Sequence, residues 1–255
     1  MLPDSKLVVR KFPDCNEIII YPLFDEHIGA STHLQKRWEQ LKKTILNTPN
    51  AYCIVGGDMM NNSTMGSVGT PYADIIPPAK QKEWLCKELL DLAKTNKIIC
   101  GVPGNHERRD EKYNGYNPMY DIFCRIGLEH LYRDVRCYVK LTVGKNAYTG
   151  LVTHGSFGGK TAGSVVDKLE KFSGDFQGLD FIVVGHAHKG GVARPSKSVV
   201  NPYANVVSEK EVLVLAATSG VAREKYADIH NYSGASNKPM LIKLSGGAKD
   251  IKYEW

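Results

Sequence analysis

The chain has 255 residues, 42% of them hydrophobic and 24% charged, with 33 basic against 27 acidic residues for a formal net charge of +6. That balance can fill a sizeable core and excludes a disordered or low-complexity chain. The positive excess is not gathered into a block, so it permits a polyanionic partner such as nucleic acid without demanding one.

Short apolar, β-rich runs alternate with amphipathic segments, which predicts an α/β fold. Residues 17–24 (EIIIYPLF) read as a strand and 32–47 as a helix, with Ser31 or Thr32 available as its N-cap. A second strand is expected at 51–57 (AYCIVGG). After it, 61–78 is polar and rich in Gly and Pro, a long loop of the kind that shapes a substrate mouth. A helix at 79–95, a strand at 97–104 (KIICGVPG) and a helix near 117–127 follow. Residues 136–155 read as a hairpin turning at 144–146. A helix near 161–172, a strand at 179–184 and the runs EVLVLAATSG and PMLIKLSG complete the series. No linker or repeat interrupts it, so a single domain over 1–255 is expected. The short turns between the later strands require mixed sheets.

The six cysteines are widely spaced without a C-x-x-C pair, and Cys53 and Cys100 sit inside apolar runs as small buried thiols. The opening MLPDSKLVVRKF has no signal-like apolar stretch, and no run is long enough to cross a bilayer. These features predict a soluble cytoplasmic protein with no membrane partner.

Polar residues recur where the predicted strands end. LDFIVVGHAHKGG closes on His186 and His188, and EIIIYPLF is followed by Asp25-Glu26-His27. Residues i and i+2 of an extended backbone point the same way, so each pair is expected to face one common point. AYCIV runs into Gly56-Gly57-Asp58, KIICGVP into Gly104-Asn105-His106-Glu107, and AYTGLVT into His154-Gly155. Each cluster alone has an ordinary explanation as a turn, a cap or a hydrogen-bonded histidine. Those explanations do not account for five such clusters at strand ends, where ligands of open α/β sheets gather. His33, His130 and His230 fall outside the clusters and read as structural or solvated.

Asp25, His27, Asp58, Asn105, His154, His186 and His188 offer seven N/O donors, more than one ion needs and suited to two that share a carboxylate. No thiolate is among them. Such a set fits Mn²⁺ best, with Fe or Zn²⁺ as alternatives, and argues against a closed structural zinc site.

The order D-x-H, G-D, G-N-H-E, H-G, G-H-x-H resembles the calcineurin-like metallophosphoesterase superfamily over about residues 18–190. The resemblance implies a four-layer α/β/β/α sandwich with two mixed sheets and two divalent metal ions at the strand ends. It implies that Asp25, His27, Asp58 and His188 hold one ion and Asp58, Asn105, His154 and His186 the other. His106 is then free to protonate the departing oxygen or to hold the phosphoryl group. Asn61, in GDMMN, falls where the family often has a further Asp or Asn, and neither it nor Asn62 is counted as a ligand.

The expected chemistry is phosphoester hydrolysis by a metal-activated bridging water. Two divalent cations against two aspartates and a hydroxide leave one net positive charge, which balances a phosphodiester monoanion and leaves a monoester dianion short by one cation. Arg108, Arg109 and Lys160 are the candidates to supply it. The mild basic excess and the resemblance tilt the reading toward a phosphodiesterase or nuclease, with nucleic acid or a nucleotide as substrate. A phosphomonoesterase or nucleotide phosphatase is the alternative, and a non-catalytic protein-binding scaffold is the alternative of another class.

Overall fold

The computed structural model describes residues 5–64, 67, 74–159, 161–223, 231 and 233–255. A six-stranded sheet has the order β1 (Val8–Phe12), β5 (Arg136–Val143), β6 (Asn146–Thr153), β7 (Phe181–Val184), β11 (Leu213–Ala216), β8 (Gly191–Ala193). A five-stranded sheet has the order β13 (Ile251–Glu254), β12 (Leu241–Ser245), β2 (Glu17–Leu23), β3 (Ala51–Val55), β4 (Ile98–Gly101). Both are mixed. In the first, β6, β7 and β11 run parallel, β5 opposes β6 but runs parallel to β1, and β8 opposes β11. In the second, β2, β3 and β4 run parallel and β12 opposes β2. A separate hairpin, β9 (Ser196–Asn201) with β10 (Val206–Glu211), stands apart from both.

Residue pattern explains strand position. The edge-side strand β5, RCYVKLTV, alternates buried and more exposed residues, the mark of a sheet with one covered face. The strands β4, β7 and β11 (IICG, FIVV, LVLA) are buried throughout and have cover on both faces. One apolar cluster joins Val8, Val139, Leu141 and Val183 of the first sheet to Ile18, Ile20, Ile54 and Leu244 of the second. The same cluster takes in Trp38 and Leu41 of α1 (Gln35–Asn47), Leu85 and Leu89 of α2 (Pro78–Lys94), and Ile122 and Phe123 of α4 (Pro118–Arg125). A second cluster seats Val165 and Leu169 of α5 (Ala162–Ser173) against Ile182, Val184 and Val214. Among the described residues no helix is long and apolar enough to cross a membrane.

Most predicted elements stand within a few residues of their expected bounds, and α1 is instructive where it departs. It starts at Gln35 with Leu34 as N-cap and no side-chain cap bond, three residues later than Ser31 or two later than Thr32 would have set it. Those earlier residues have other partners: Thr32 O accepts from the Ala222 N–H at 2.8 Å, Gly220 O accepts from Leu34, and His33 bridges Val221. The chain after β11 thus holds 32–34 out of the helix. Strand β1, the hairpin β9–β10 and the short helix α3 (Arg108–Asn114) were not expected from sequence. Of the predicted loop 61–78, residues 65, 66 and 68–73 lie outside the described residues, as does His230.

Candidate metal centre

The seven ligand candidates all lie just beyond strand ends, on the turns that leave β2, β3, β4, β6 and β7. Asp25, His27, Asp58, His186 and His188 have φ of +53°, +45°, +49°, +66° and +52°. A non-glycine residue held in this left-handed region costs of order 1–3 kcal/mol. Strand alternation therefore does not aim the D-x-H and H-x-H pairs, because the backbone turns at each member. One consequence is that His186 and His188 part: His188 joins Asp25 and His27, whereas His186 joins Asp58 and His154.

Backbone bonds hold these strained turns by continuing the β2–β3 ladder past its end. Asp25 N–H donates to Gly57 O at 3.1 Å, His27 N–H to Asp58 O at 2.9 Å and Ile28 N–H to Met59 O at 2.8 Å. Close approach requires glycine at two places. A Cβ on Gly57 would lie 2.2 Å from the Gly104 nitrogen, and one on Gly104 would lie 2.1 Å from Asp58 Oδ1.

Among the described residues three groups of donor atoms form, each within 4.8 Å: Asp25, His27, His188; His27, Asp58, His106; and Asp58, His154, His186. Asn105 Oδ1 completes the third, 2.8 Å from His186 Nδ1 and 3.2 Å from His154 Nε2. Asp58 Oδ2 lies 3.1 Å from His154 Nε2, and Asp25 Oδ1 lies 3.4 Å from His188 Nε2.

Hydrogen bonds fix which ring nitrogens carry lone pairs. A carbonyl only accepts, so His154 Nδ1, 3.0 Å from Gly56 O, carries the proton and its Nε2 faces the Asp58 and Asn105 oxygens. Asn61 Nδ2 donates to Asp74 Oδ1 at 2.5 Å and to Ser63 Oγ at 3.0 Å, leaving Asn61 Oδ1 to accept from His27 Nδ1 at 3.1 Å. His27 Nε2 then presents its lone pair 3.1 Å from His188 Nε2. His27 Nε2 against His188 Nε2, and His154 Nε2 against the Asp58 and Asn105 oxygens, each need a proton or a cation between them. This donor set fits divalent cations, and its second layer (Gly56 O behind His154, Asn61 and Asp74 behind His27) is the kind that fixes metal-ligand tautomers.

The surrounding carboxylates favour a proton at His154. Burial pulls the His154 pKa down, but Asp58 and Asp25 outweigh it and push it up to about 10. Burial opposes ionisation of Asp58, yet His154 and His106 hold its carboxyl well below the usual range. His27, buried beside His106 and His188, lies well below the ordinary imidazole value.

His106 Nδ1 donates to Asn61 O at 2.6 Å, so the Nε2 of the neutral ring accepts, and it takes an N–H from Arg109 Nη2 at 2.9 Å. That nitrogen is the one nearer Asp58 Oδ2, at 3.8 Å, and it carries no proton in this arrangement. The expected cations separate. Arg109 faces the centre through His106, while Arg108 turns away into ion pairs with Glu111 at 2.8 Å and Asp134 at 3.4 Å. Lys160 lies outside the described residues.

Sequence reasoning passed over Glu107, which it met only as the last letter of a motif. Its buried carboxylate accepts from the N–H groups of Asp58 at 2.9 Å, Met60 at 3.1 Å and Gly104 at 2.8 Å. Burial, with Asp58 nearby, pushes its pKa up to about 7. Its place directly after His106 was the one available signal. Asp74, which anchors Asn61, Ser63 and Gln81, gave none.

No family model matches the chain and no curated protein is similar to it. Among solved structures, GAP50, described as the anchor in the inner membrane complex of Plasmodium, has a TM-score of 0.45 at 8% identity, with 94% of this chain and 88% of that chain covered. A likeness of that degree carries no argument about the site.

Proposed function

We propose that this protein hydrolyses phosphoesters with two divalent cations, Mn²⁺ first among them, in a four-layer α/β/β/α sandwich of the calcineurin-like metallophosphoesterase kind. The observation that carries the reading is the place of Asp58. Its carboxylate belongs both to the group with His27 and His106 and to the group with His154 and His186, while Asp25, His27 and His188 form a third group alongside. One aspartate between two sets of imidazoles is the arrangement a shared carboxylate ligand needs.

Asp25, His27, Asp58 and His188 would hold one cation, and Asp58, Asn105, His154 and His186 the other. The pair supplies Lewis acidity and a water of lowered pKa. The protein's own groups do the positioning. Asn61 and Gly56 O fix the His27 and His154 tautomers, and Glu107 sets the backbone of Asp58. His106, tethered by Asn61 O and Arg109, would need a proton on Nε2, in place of the Arg109 bond, either to hold a phosphoryl oxygen or to protonate the departing one.

Elemental analysis after reconstitution, together with Mn²⁺-stimulated release of p-nitrophenol from p-nitrophenyl phosphate and its bis ester, tests the reading. Two ions per chain and metal-dependent turnover of one ester are expected. Bound ions without turnover of either would favour a non-catalytic scaffold, and no bound ion would sink the metal assignment altogether.

A further inference from the structure

The cations near the centre are not equivalent. Arg108 is neutralised by Glu111 and Asp134. Arg109, half-buried, has no carboxylate within 4.0 Å among the described residues. Its Nη1 donates to Asn61 O at 2.9 Å and Asn62 O at 3.2 Å, and its Nη2 to His106 Nε2 at 2.9 Å, all neutral acceptors. The acids close enough to act on it through space are Asp58, Glu107 and Asp74. Each is engaged elsewhere: Asp58 at the centre, Glu107 on three backbone N–H groups, and Asp74 on Asn61, Ser63 and Gln81. Those carboxylates still act on the guanidinium through space, but none pairs with it: it is fixed beside His106 by three bonds to neutral acceptors.

We propose that Arg109 anchors a non-bridging oxygen of a dianionic terminal phosphate, and that the centre therefore selects phosphomonoesters over phosphodiesters. This rests on the phosphoesterase reading. Among the groups that would contact the phosphate, two divalent cations, Asp25, Asp58 and a hydroxide leave one positive charge and Arg109 adds another, which favours a monoester dianion over a diester monoanion; Asp74 and Glu107, acting on Arg109 through space, lessen that excess. The geometry agrees, because three bonds to backbone and ring hold the guanidinium rigid and leave N–H groups in the plane of its fork for a phosphoryl oxygen beside His106. This choice reverses the lean toward diesters that the basic excess alone gives.

The test uses the full chain loaded with Mn²⁺ and titrated calorimetrically with inorganic phosphate and with dimethyl phosphate, alongside kcat/KM for p-nitrophenyl phosphate and its bis ester. The wild type is expected to prefer phosphate and the monoester. Arg109→Gln keeps donors for the Asn61 and Asn62 carbonyls and removes the charge. It should weaken phosphate binding by about tenfold or more and dimethyl phosphate binding by clearly less, since the diester loses only the His106 tether. Arg109→Lys, which keeps charge without the fork, should fall between and controls for a folding defect in the Gln variant. Equal loss for both anions, no loss for either, or a wild-type preference for the diester overturns the proposal. A wild type that binds Mn²⁺ yet turns over neither ester fails the phosphoesterase reading instead, a result read on the wild type alone.

Discussion

Glu107 Oε2 accepts two backbone hydrogen bonds at once, 2.9 Å from the Asp58 nitrogen and 2.8 Å from that of Gly104, and so ties the β3 turn to the β4 turn. The two turns carry Asp58 and Asn105, ligand candidates from different segments. Glu107→Gln keeps the size but turns an amide N–H toward a backbone N–H on one side. A buried donor left unmatched costs about 1–3 kcal/mol. We expect a melting temperature lowered accordingly and a weaker second Mn²⁺ site by calorimetry. An unchanged second site would show that Asp58 is positioned without the clamp.

Asp74 acts on the centre through Asn61, which in turn faces His27 Nδ1. Asn61→Ala and Asp74→Asn should each lower metal affinity by about 10–100-fold, the usual range for partners that orient a ligand. Their effects should not add, since they form one chain. Additive losses in the double variant would separate them.

His154, raised to about 10 in the cation-free molecule, should still be protonated at pH 8. Because folding raises its pKa, its contribution to the stability of the metal-free protein is present in full below its ordinary value near 6.5 and is lost as pH rises through about 10. A cation must displace that proton. Calorimetry of Zn²⁺ binding at pH 8 in buffers of different ionisation enthalpy should report about one proton released from this site, fading above pH 10. No release at pH 8 would place His154 in its neutral form.

Asp180 lies away from the centre and tests the fold. It accepts from Thr149 N–H at 2.7 Å, from Thr149 Oγ1 at 3.0 Å and from Lys249 Nζ at 2.9 Å, joining β6, β7 and the chain before β13. Burial opposes its ionisation, but Lys249 and Thr149 prevail and lower its pKa. The stability it gives is therefore present above the ordinary aspartate value of about 3.9 and is lost as pH falls through the lower folded value. Asp180→Asn should cost about 1–3 kcal/mol at neutral pH. The gap from wild type in urea melts should close in acid, and a gap independent of pH would assign the loss to shape instead of charge.

The chain itself settled which residues could meet. Apolar runs of strand length ending in Asp25, Asp58, Asn105, His154 and His186 were legible because strand pattern and polar punctuation are local properties of sequence. How they meet was decided in three dimensions. The left-handed turns at Asp25, His27, Asp58, His186 and His188, which send His186 and His188 into different groups, depend on backbone bonds from neighbouring turns, and those are contacts between distant segments. Likewise Arg108 and Arg109 are indistinguishable neighbours in sequence. Packing alone sends the first to Glu111 and Asp134 and the second to His106, since a side chain's partner depends on what the rest of the fold brings within reach.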